Sequence, residues 1–363
     1  MEENNKNTRF GFKLLIIVLS SLSLMLIIFS FFAPKLLVQK AKSMDLIFTD
    51  TGSIGDTIGG LMNPFIALAG VMVTFLAFFI QYKFNEFQIT EFRSEIKRNQ
   101  IKYDKDKFEN QFYEMLRLHR DNVKELYIKI RKREDGKVIE ETLYGRRVFE
   151  SLVIELSLSY LVALYSFKGE KFSPKKLLNE AYGLFFIGVD ESDLNKHLFF
   201  NNAKKLKDFI ANFKYEEFDK ELHSQLILAV DNIISKNIDF PIFQGYSHQL
   251  ANYYRHLFQT VKFVVKQNEK FISYSEKRNY LRILRAQLSN SEQALLFYNW
   301  YSDFGKQWQE EKNKFFTDYR MIHNIYNELL ITQFKLEEIF DLNGNYRKEE
   351  NREKDPMFEF QDW

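Results

Sequence analysis

Two uncharged apolar runs stand out near the N-terminus of the chain. The first, residues 14–34, and the second, residues 61–82, are rich in Leu, Ile, Val, Ala and Phe. A helix that crosses a bilayer needs about 20 such residues. The pattern therefore predicts two transmembrane helices, at about 14–34 and 61–82, within a membrane anchor formed by residues 1–83.

A cleaved signal peptide is the alternative explanation of the first run. Its apolar core is longer than that of a typical signal peptide, and no small-x-small cleavage site follows it. Eight basic residues lie beside the outer ends of the two runs, and three lie in the loop between them. The positive-inside rule then places both termini and the main domain in the cytoplasm.

Beyond the second run the apolar positions recur at three- and four-residue steps, which is typical of amphipathic helices. Residues 84–104 are more polar and predict a stalk or linker helix, which could self-associate. Residues 105–342 predict a multi-helix domain, and residues 343–363 a charged C-terminal tail. No run alternates cleanly enough to predict a sheet, so the predicted fold class is all-α.

Turn residues divide the predicted domain into its helices. Residues 131–136 carry charges and a glycine and predict a turn, and Gly145 opens the next helix. The later helices are predicted at 174–187, 190–212, 215–236, 245–272, 275–289, 291–309 and 312–341.

Composition removes several classes of function. Lys and Arg number 51 against 49 Asp and Glu, so the charge gives no reason to expect nucleic acid as a partner. The chain has no cysteine, which excludes disulfides, zinc-thiolate sites and thiol catalysis. Phosphate-binding loops, nucleophile elbows and metalloprotease motifs do not occur. Residues 52–60 are glycine-rich but lack the phosphate-binding lysine, and are interpreted as a structural turn. We therefore expect no cofactor and no metal.

Polar residues inside otherwise apolar helices are the candidates for function. Buried charged groups must be paired, so Glu155 or Glu292 is expected to have a partner among Arg255, His256 and Arg147. Such a group forms either a structural ion-pair network or the floor of a ligand pocket. His119 lies on an apolar stripe and is interpreted as a hydrogen-bonded core histidine. The candidate functional polar cluster is Arg255, His256, Glu292, Asn299, Glu155, Arg147 and His119.

Several stretches carry a resemblance to a known family. They are residues 52–60 with Asn63-Pro64-Phe65, residues 74–78, Gln81-Tyr82, residues 111–116 with His119, residues 145–149, residues 253–258, residues 286–289 with Glu292, and Phe297-Tyr298-Asn299. In this order they resemble the AbiC-type phage abortive infection protein family. The resemblance implies a bacterial antiphage role in which an infected cell stops supporting phage production. It supplies no catalytic residue.

The resulting hypothesis is a two-pass protein of the bacterial inner membrane that senses infection through its cytoplasmic helical domain. Its expected partners are the lipid bilayer and a phage or host protein, with homo-oligomers as a further expectation. One alternative is a membrane-tethered ribonuclease or phosphoesterase that uses Arg255, His256 and Glu292, although no catalytic motif indicates an enzyme. A second alternative is an effector that permeabilises the membrane, which the lack of charges inside the two spans disfavours.

Overall fold

The computed structural model describes most of the chain, namely residues 2–42, 51–134, 137–188, 202–211, 238–239, 243–342 and 356–359. The predicted helix at 215–236 and most of the one at 190–212 lie outside the described residues. The chain divides into two compact units, residues 1–103 and residues 104–363. The described part is mostly helical, in agreement with the periodicity.

The first unit consists of two long helices. Helix α1 spans Glu2–Lys42, and helix α2 spans Thr51–Glu125, so that α2 continues into the second unit. Residues 52–60, interpreted from the sequence as a turn, belong to α2. Both predicted apolar runs are helical, and many of their large side chains are exposed, among them Met25, Phe31 and Phe78.

Three helical segments of the described chain are long and apolar enough to cross a membrane. They are Lys13–Leu36, with a mean hydropathy of 2.7, the apolar part of Ile58–Glu125, with 2.1, and Arg146–Ser166, with 1.6. The apolar stretch of the third is 78% buried, against 11% and 6% for the other two. Its apolar surface is thus covered by protein, whereas the first two expose theirs.

The second unit contains a small sheet that the sequence analysis did not predict. Strands β1, Tyr127–Glu134, and β2, Lys137–Tyr144, form an antiparallel hairpin, and β3, Ile238–Asp239, pairs with the other edge of β1. The prediction of a turn at 131–136 was wrong for residues 131–134, which belong to β1, since pairing continues to Glu134 opposite Lys137; residues 135–136 lie outside the described residues. Ile128 and Ile130 are buried at period two, but Lys129 between them and the charged residues 131–134 after them obscured the strand.

The other helices of this unit follow turn chemistry visible in the sequence. They are α3, Arg146–Ser166; α4, Pro174–Ile187; α5, Ala203–Ala211; α6, Ser247–Val265; α7, Tyr274–Arg285; α8, Asn290–Tyr301; and α9, Leu336–Ile339. Ser273 and Ser289 form capping boxes with the glutamates three residues later, which fixes where α7 and α8 begin. The prediction of a helix at 174–187 is confirmed.

The prediction of one long helix over 312–341 was wrong. Residues 302–335 form turns and two short 3₁₀ helices, Lys306–Gln309 and Asn327–Leu329, before α9. Asp303, Lys314 and Arg320 have positive φ angles in this region. A left-handed residue ends a right-handed helix, so an apolar period of three to four was not enough to sustain one here.

Helix α3 forms the centre of the second unit and packs against α4, α5 and α8. Its buried residues lie on nearly every face, including Phe149, Leu156 and Tyr160. Residues 356–359 also join the core, because Phe358 is fully buried and the Glu359 N–H donates to the His323 carbonyl oxygen at 2.9 Å. The charged C-terminal region therefore includes a short docked segment.

Candidate functional site

Helix α6 carries four consecutive residues of interest, Tyr253, Tyr254, Arg255 and His256. Their side chains point in four directions, because successive residues of an α-helix are rotated by about 100° about its axis. The Tyr253 hydroxyl donates to Glu292 Oε1 at 3.1 Å, and the Tyr254 hydroxyl donates to the Leu295 carbonyl oxygen at 3.2 Å. Arg255 is exposed in a cleft, and the His256 ring stacks on His119. Arg255 and His256 thus lie in two different environments, a cleft and a buried histidine pair.

The first environment is the buried pair formed by His119 and His256. The His119 and His256 rings lie 6.2 Å apart between centroids at an interplanar angle of 17°. All four ring nitrogens are buried without a hydrogen-bond partner among the described residues. His119 is buried as predicted, but the prediction that its nitrogens are satisfied was wrong. Burial lowers the pKa of His119 to about 4, with smaller contributions from His256 and Arg146, and burial also lowers the pKa of His256.

Glu292 lies close to this pair through Tyr253, whose ring centroid is 5.5 Å from that of His119. The Glu292 carboxylate accepts hydrogen bonds from the Ser289 N–H, at 2.7 Å, and from the Tyr253 hydroxyl. Burial raises the pKa of Glu292, and the bonds from Ser289 and Tyr253 and the charge of Arg146 act against that rise. The partners of Glu292 are therefore a helix cap and a tyrosine, and not the predicted Arg255, His256 or Arg147.

The structure separates Glu155 and Arg147 from the rest of the predicted cluster. Glu155 Oε2 accepts from the Tyr246 hydroxyl at 2.5 Å, and Oε1 has no hydrogen-bond partner among the described residues. Burial raises the pKa of Glu155 to about 8. Arg147 is largely exposed and lies 3.6 Å from Glu141 across the end of the hairpin. Glu155 is thus a buried core acid, and Arg147 belongs to the surface.

The second environment is a cleft of about 510 Å³ between α6 and the loop after α8. One face of α6 forms one wall, since Ala251, Arg255, Phe258, Gln259 and Lys262 recur at helical spacing. Tyr254, also of α6, lines the cleft as well. The remaining lining residues come from α4, α8 and the loop after α8: Phe186, Asn299, Asp303, Phe304, Gly305, Lys306, Gln307 and Trp308.

Asn299 fixes the floor of the cleft. Its Nδ2 donates to the Tyr182 hydroxyl at 2.9 Å, and its carbonyl oxygen accepts from the Gly305 N–H at 2.8 Å. A Cβ atom on Gly305 would lie 1.9 Å from Asn299 Oδ1, so only glycine allows the loop to approach this closely. The loop conformation and the buried amide therefore depend on each other.

The cleft carries more positive than negative charge. Arg255, Lys262 and Lys306 line it, and among the residues that the structure describes none of these three forms an ion pair. The carboxylate of Asp303 also lines the cleft, but it is 3.0 Å from Lys175 Nζ. The cleft thus offers cationic groups to an anionic ligand.

The sequence analysis identified only part of this arrangement. Arg255 and Asn299 line the cleft, while His119, His256 and Glu292 gather on the other side of α6. Lys262, Lys306 and Trp308 were missed, although the spacing of Arg255, Phe258 and Lys262 along α6 could have indicated a shared face. No group of three or more His, Asp or Glu suited to a metal ion occurs within the described ranges.

The fold and the cleft define a mostly helical protein with two exposed apolar helices and a cleft lined by cationic side chains. Residues 245–330, about a quarter of the chain, match the family described as putative phage abortive infection protein. The match confirms the resemblance predicted from the sequence, and it includes α6, α7, α8 and every residue that lines the cleft except Phe186. Comparisons with curated proteins and with solved structures found no match.

Proposed function

We propose that this protein is a membrane-anchored bacterial antiphage protein that acts by abortive infection, and that it senses infection through the cleft. The observation that carries the proposal is the coincidence of the family match with the cleft: residues 245–330 supply nearly all of its lining. A cleft with cationic groups and a fixed floor suits recognition, because convergent polar groups orient a ligand.

The anchor is part of the proposal. Its support is the exposed apolar surface of α1 and of the apolar part of α2, including Ile17, Phe31, Val71 and Phe78. Burial of apolar surface contributes about 25 cal/mol per Å², so helices of this length gain strongly from entering lipid. Helix α3 is assigned to the protein core instead, because its surface is already covered.

Both termini and the second unit are placed in the cytoplasm in this proposal, since basic residues are more frequent beside the outer ends of the two spans than between them. The chain has no cysteine, so single cysteines introduced at Asn5, Ser43 and Asp362 report on sidedness directly. In spheroplasts of expressing cells, a membrane-impermeant maleimide should label only the Ser43→Cys variant. Labelling of either terminal variant would overturn the topology.

The sensing role is tested with phage. Cells that express the full chain should give fewer plaques than cells with an empty vector, and the variant Lys262→Gln should lose that protection. Lys266→Gln, an exposed lysine outside the cleft, is the matched control and should keep it. Equal protection by the two variants, at equal protein level, would contradict a role of the cleft.

The ribonuclease alternative receives less support from the geometry. Its general acid–base His256 and its phosphate-binding Arg255 would have to face one substrate. Arg255 lines the cleft, whereas the His256 nitrogens are buried beside His119.

A further inference from the structure

The cationic groups of the cleft are spread along it and not gathered at one point. Arg255 and Lys262 are seven residues apart on α6, which separates their Cα atoms by about 10 Å along the helix axis. Lys306 reaches the cleft from the opposite wall, on the loop after α8. Cations along α6 and on the opposite wall suit a ligand that carries more than one anionic group.

Aromatic side chains occupy the space between these charges. Phe258 and Trp308 meet edge to face with centroids 5.2 Å apart, and Phe186 and Phe304 do so at 5.7 Å. All four rings line the cleft. Lys262 Nζ lies 5.6 Å from the centre of the Phe258 ring, so one cation adjoins one aromatic surface. A ligand that has a flat ring beside an anionic group would contact both.

Amide groups complete the lining. Gln259 and Gln307 each carry a carboxamide, which offers a donor and an acceptor side by side. Such groups match the donor and acceptor edge of a heterocyclic base. The volume of about 510 Å³ falls within the range of small-molecule sites, about 300–1,000 Å³, and is too small for a folded partner domain.

We propose that the cleft binds a nucleotide, with its base against the aromatic wall and its phosphates on Arg255, Lys262 and Lys306. This inference deepens the proposed function, on which it rests, by naming the chemical class that the cleft senses. The paired Asp303 does not repel the phosphates strongly, because Lys175 holds its carboxylate at 3.0 Å.

Isothermal titration calorimetry of the purified full chain in detergent tests the inference. The probes are ATP, GTP, CTP and UTP, the four monophosphates, the four nucleosides and inorganic triphosphate. We expect at least one nucleotide to bind with a Kd below about 1 mM, and its nucleoside and inorganic triphosphate to bind at least tenfold more weakly. If no nucleotide binds, or if inorganic triphosphate binds as tightly as the nucleotide, the inference is overturned.

Two variants and one control locate the binding. Arg255→Gln and Lys262→Gln each remove one charge from the cleft, and each should weaken nucleotide binding at least tenfold, since each loses a charge-assisted hydrogen bond to the phosphates. Lys266→Gln removes an exposed charge just beyond the cleft and should change the Kd less than twofold. Equal weakening by all three variants would indicate general charge attraction and contradict the assignment.

The outcome is separable from that of the proposed function. Phage protection that survives in a chain with no measurable nucleotide affinity would remove the ligand class and leave the antiphage role in place. Nucleotide binding that Lys262→Gln abolishes, in a chain that gives no protection against phage, would keep the site and remove the antiphage role.

Discussion

The imidazole rings of His119 and His256 lie nearly parallel at 6.2 Å, and none of their nitrogens has a hydrogen-bond partner in the described structure. One histidine comes from α2 and the other from α6, so the pair lies where these two helices approach each other. A buried imidazole without partners resists protonation, because the charged form loses its hydration and gains nothing in return.

Acid should therefore weaken the fold through His119. Above pH 6.5 the imidazole is neutral in both the folded and the unfolded chain. As the pH falls toward the folded pKa of about 4, the unfolded chain takes up a proton that the folded chain does not. The difference favours the unfolded state by about 3 kcal/mol at pH 4.

The His119→Phe variant should remove that part of the pH dependence. We expect its thermal unfolding midpoint to fall less between pH 7 and pH 4 than that of the unchanged protein. His248→Phe replaces an exposed histidine of α6 and is the comparison, and its pH profile should differ less from that of the unchanged protein than the profile of His119→Phe does. Identical profiles for His119→Phe and the unchanged protein would contradict the assignment.

Glu155 should weaken the fold in the opposite pH direction. Its pKa is raised to about 8 by burial, so the folded chain keeps the proton that the unfolded chain releases above about pH 4.5. The penalty grows from about pH 4.5 to pH 8 and amounts to about 3 kcal/mol at pH 7. Glu155→Gln keeps an acceptor for Tyr246 and should raise the unfolding midpoint, more at pH 8 than at pH 5.

Glu150→Gln is the matched control for this prediction, because Glu150 lies on the exposed side of the same helix. It should change the free energy of unfolding by less than about 0.5 kcal/mol at either pH. A Glu155→Gln variant that is less stable than the unchanged protein at pH 8 would show that the buried acid stabilises the core.

Gly305→Ala should disturb the floor of the cleft. The added Cβ atom meets Asn299 Oδ1 at 1.9 Å and Trp308 Cδ1 at 3.1 Å, and Asn299 is held by its bond to Tyr182. We expect a loss of about 1–3 kcal/mol in the free energy of unfolding.

A double-mutant cycle with Asn299→Ala tests the cause of that loss. Without the amide, the second substitution should be less harmful, and the coupling energy should exceed about 0.5 kcal/mol. Additive effects of the two substitutions would mean that the clash with Asn299 is not the cause.

Tyr253→Phe should lower the free energy of unfolding, because it removes a buried hydroxyl. The substitution removes the donor to Glu292 Oε1 and leaves a buried carboxylate oxygen without that bond. Leaving such a group unsatisfied costs about 1–3 kcal/mol, which denaturation of the two proteins would measure. Tyr113→Phe, at an exposed position of α2, should have almost no effect; equal losses for both would contradict the prediction.

Local patterns predicted much of the helical part of the fold. Ser173-Pro174 predicts the start of α4, and the glutamates after Ser273 and Ser289 mark α7 and α8. The hairpin was missed because charged residues alternate with Ile128 and Ile130. A period of two in a charged segment is a weak signal for a β-strand. Much of the stability of a strand comes from pairing with its neighbour, which a single segment of sequence does not identify.

The candidate site was predicted less well, for a physical reason. The pattern identified polar residues in apolar helices, but it could not assign their directions. Arg255 and His256 are neighbours in sequence and lie on different faces of α6. Lys306 and Gly305 belong to a loop whose path depends on the Asn299 side chain. That side chain is held by Tyr182, which is 117 residues away in the sequence, and no local pattern contains this contact.

We propose above that this chain protects bacteria by abortive infection. The most direct measurement infects cells that express it, and cells with an empty vector, at low and at high multiplicity of phage. We expect fewer plaques and surviving cultures at low multiplicity, together with death or arrest of infected cells at high multiplicity. Unchanged plaque numbers, or cells that resume growth after infection at high multiplicity, would contradict it.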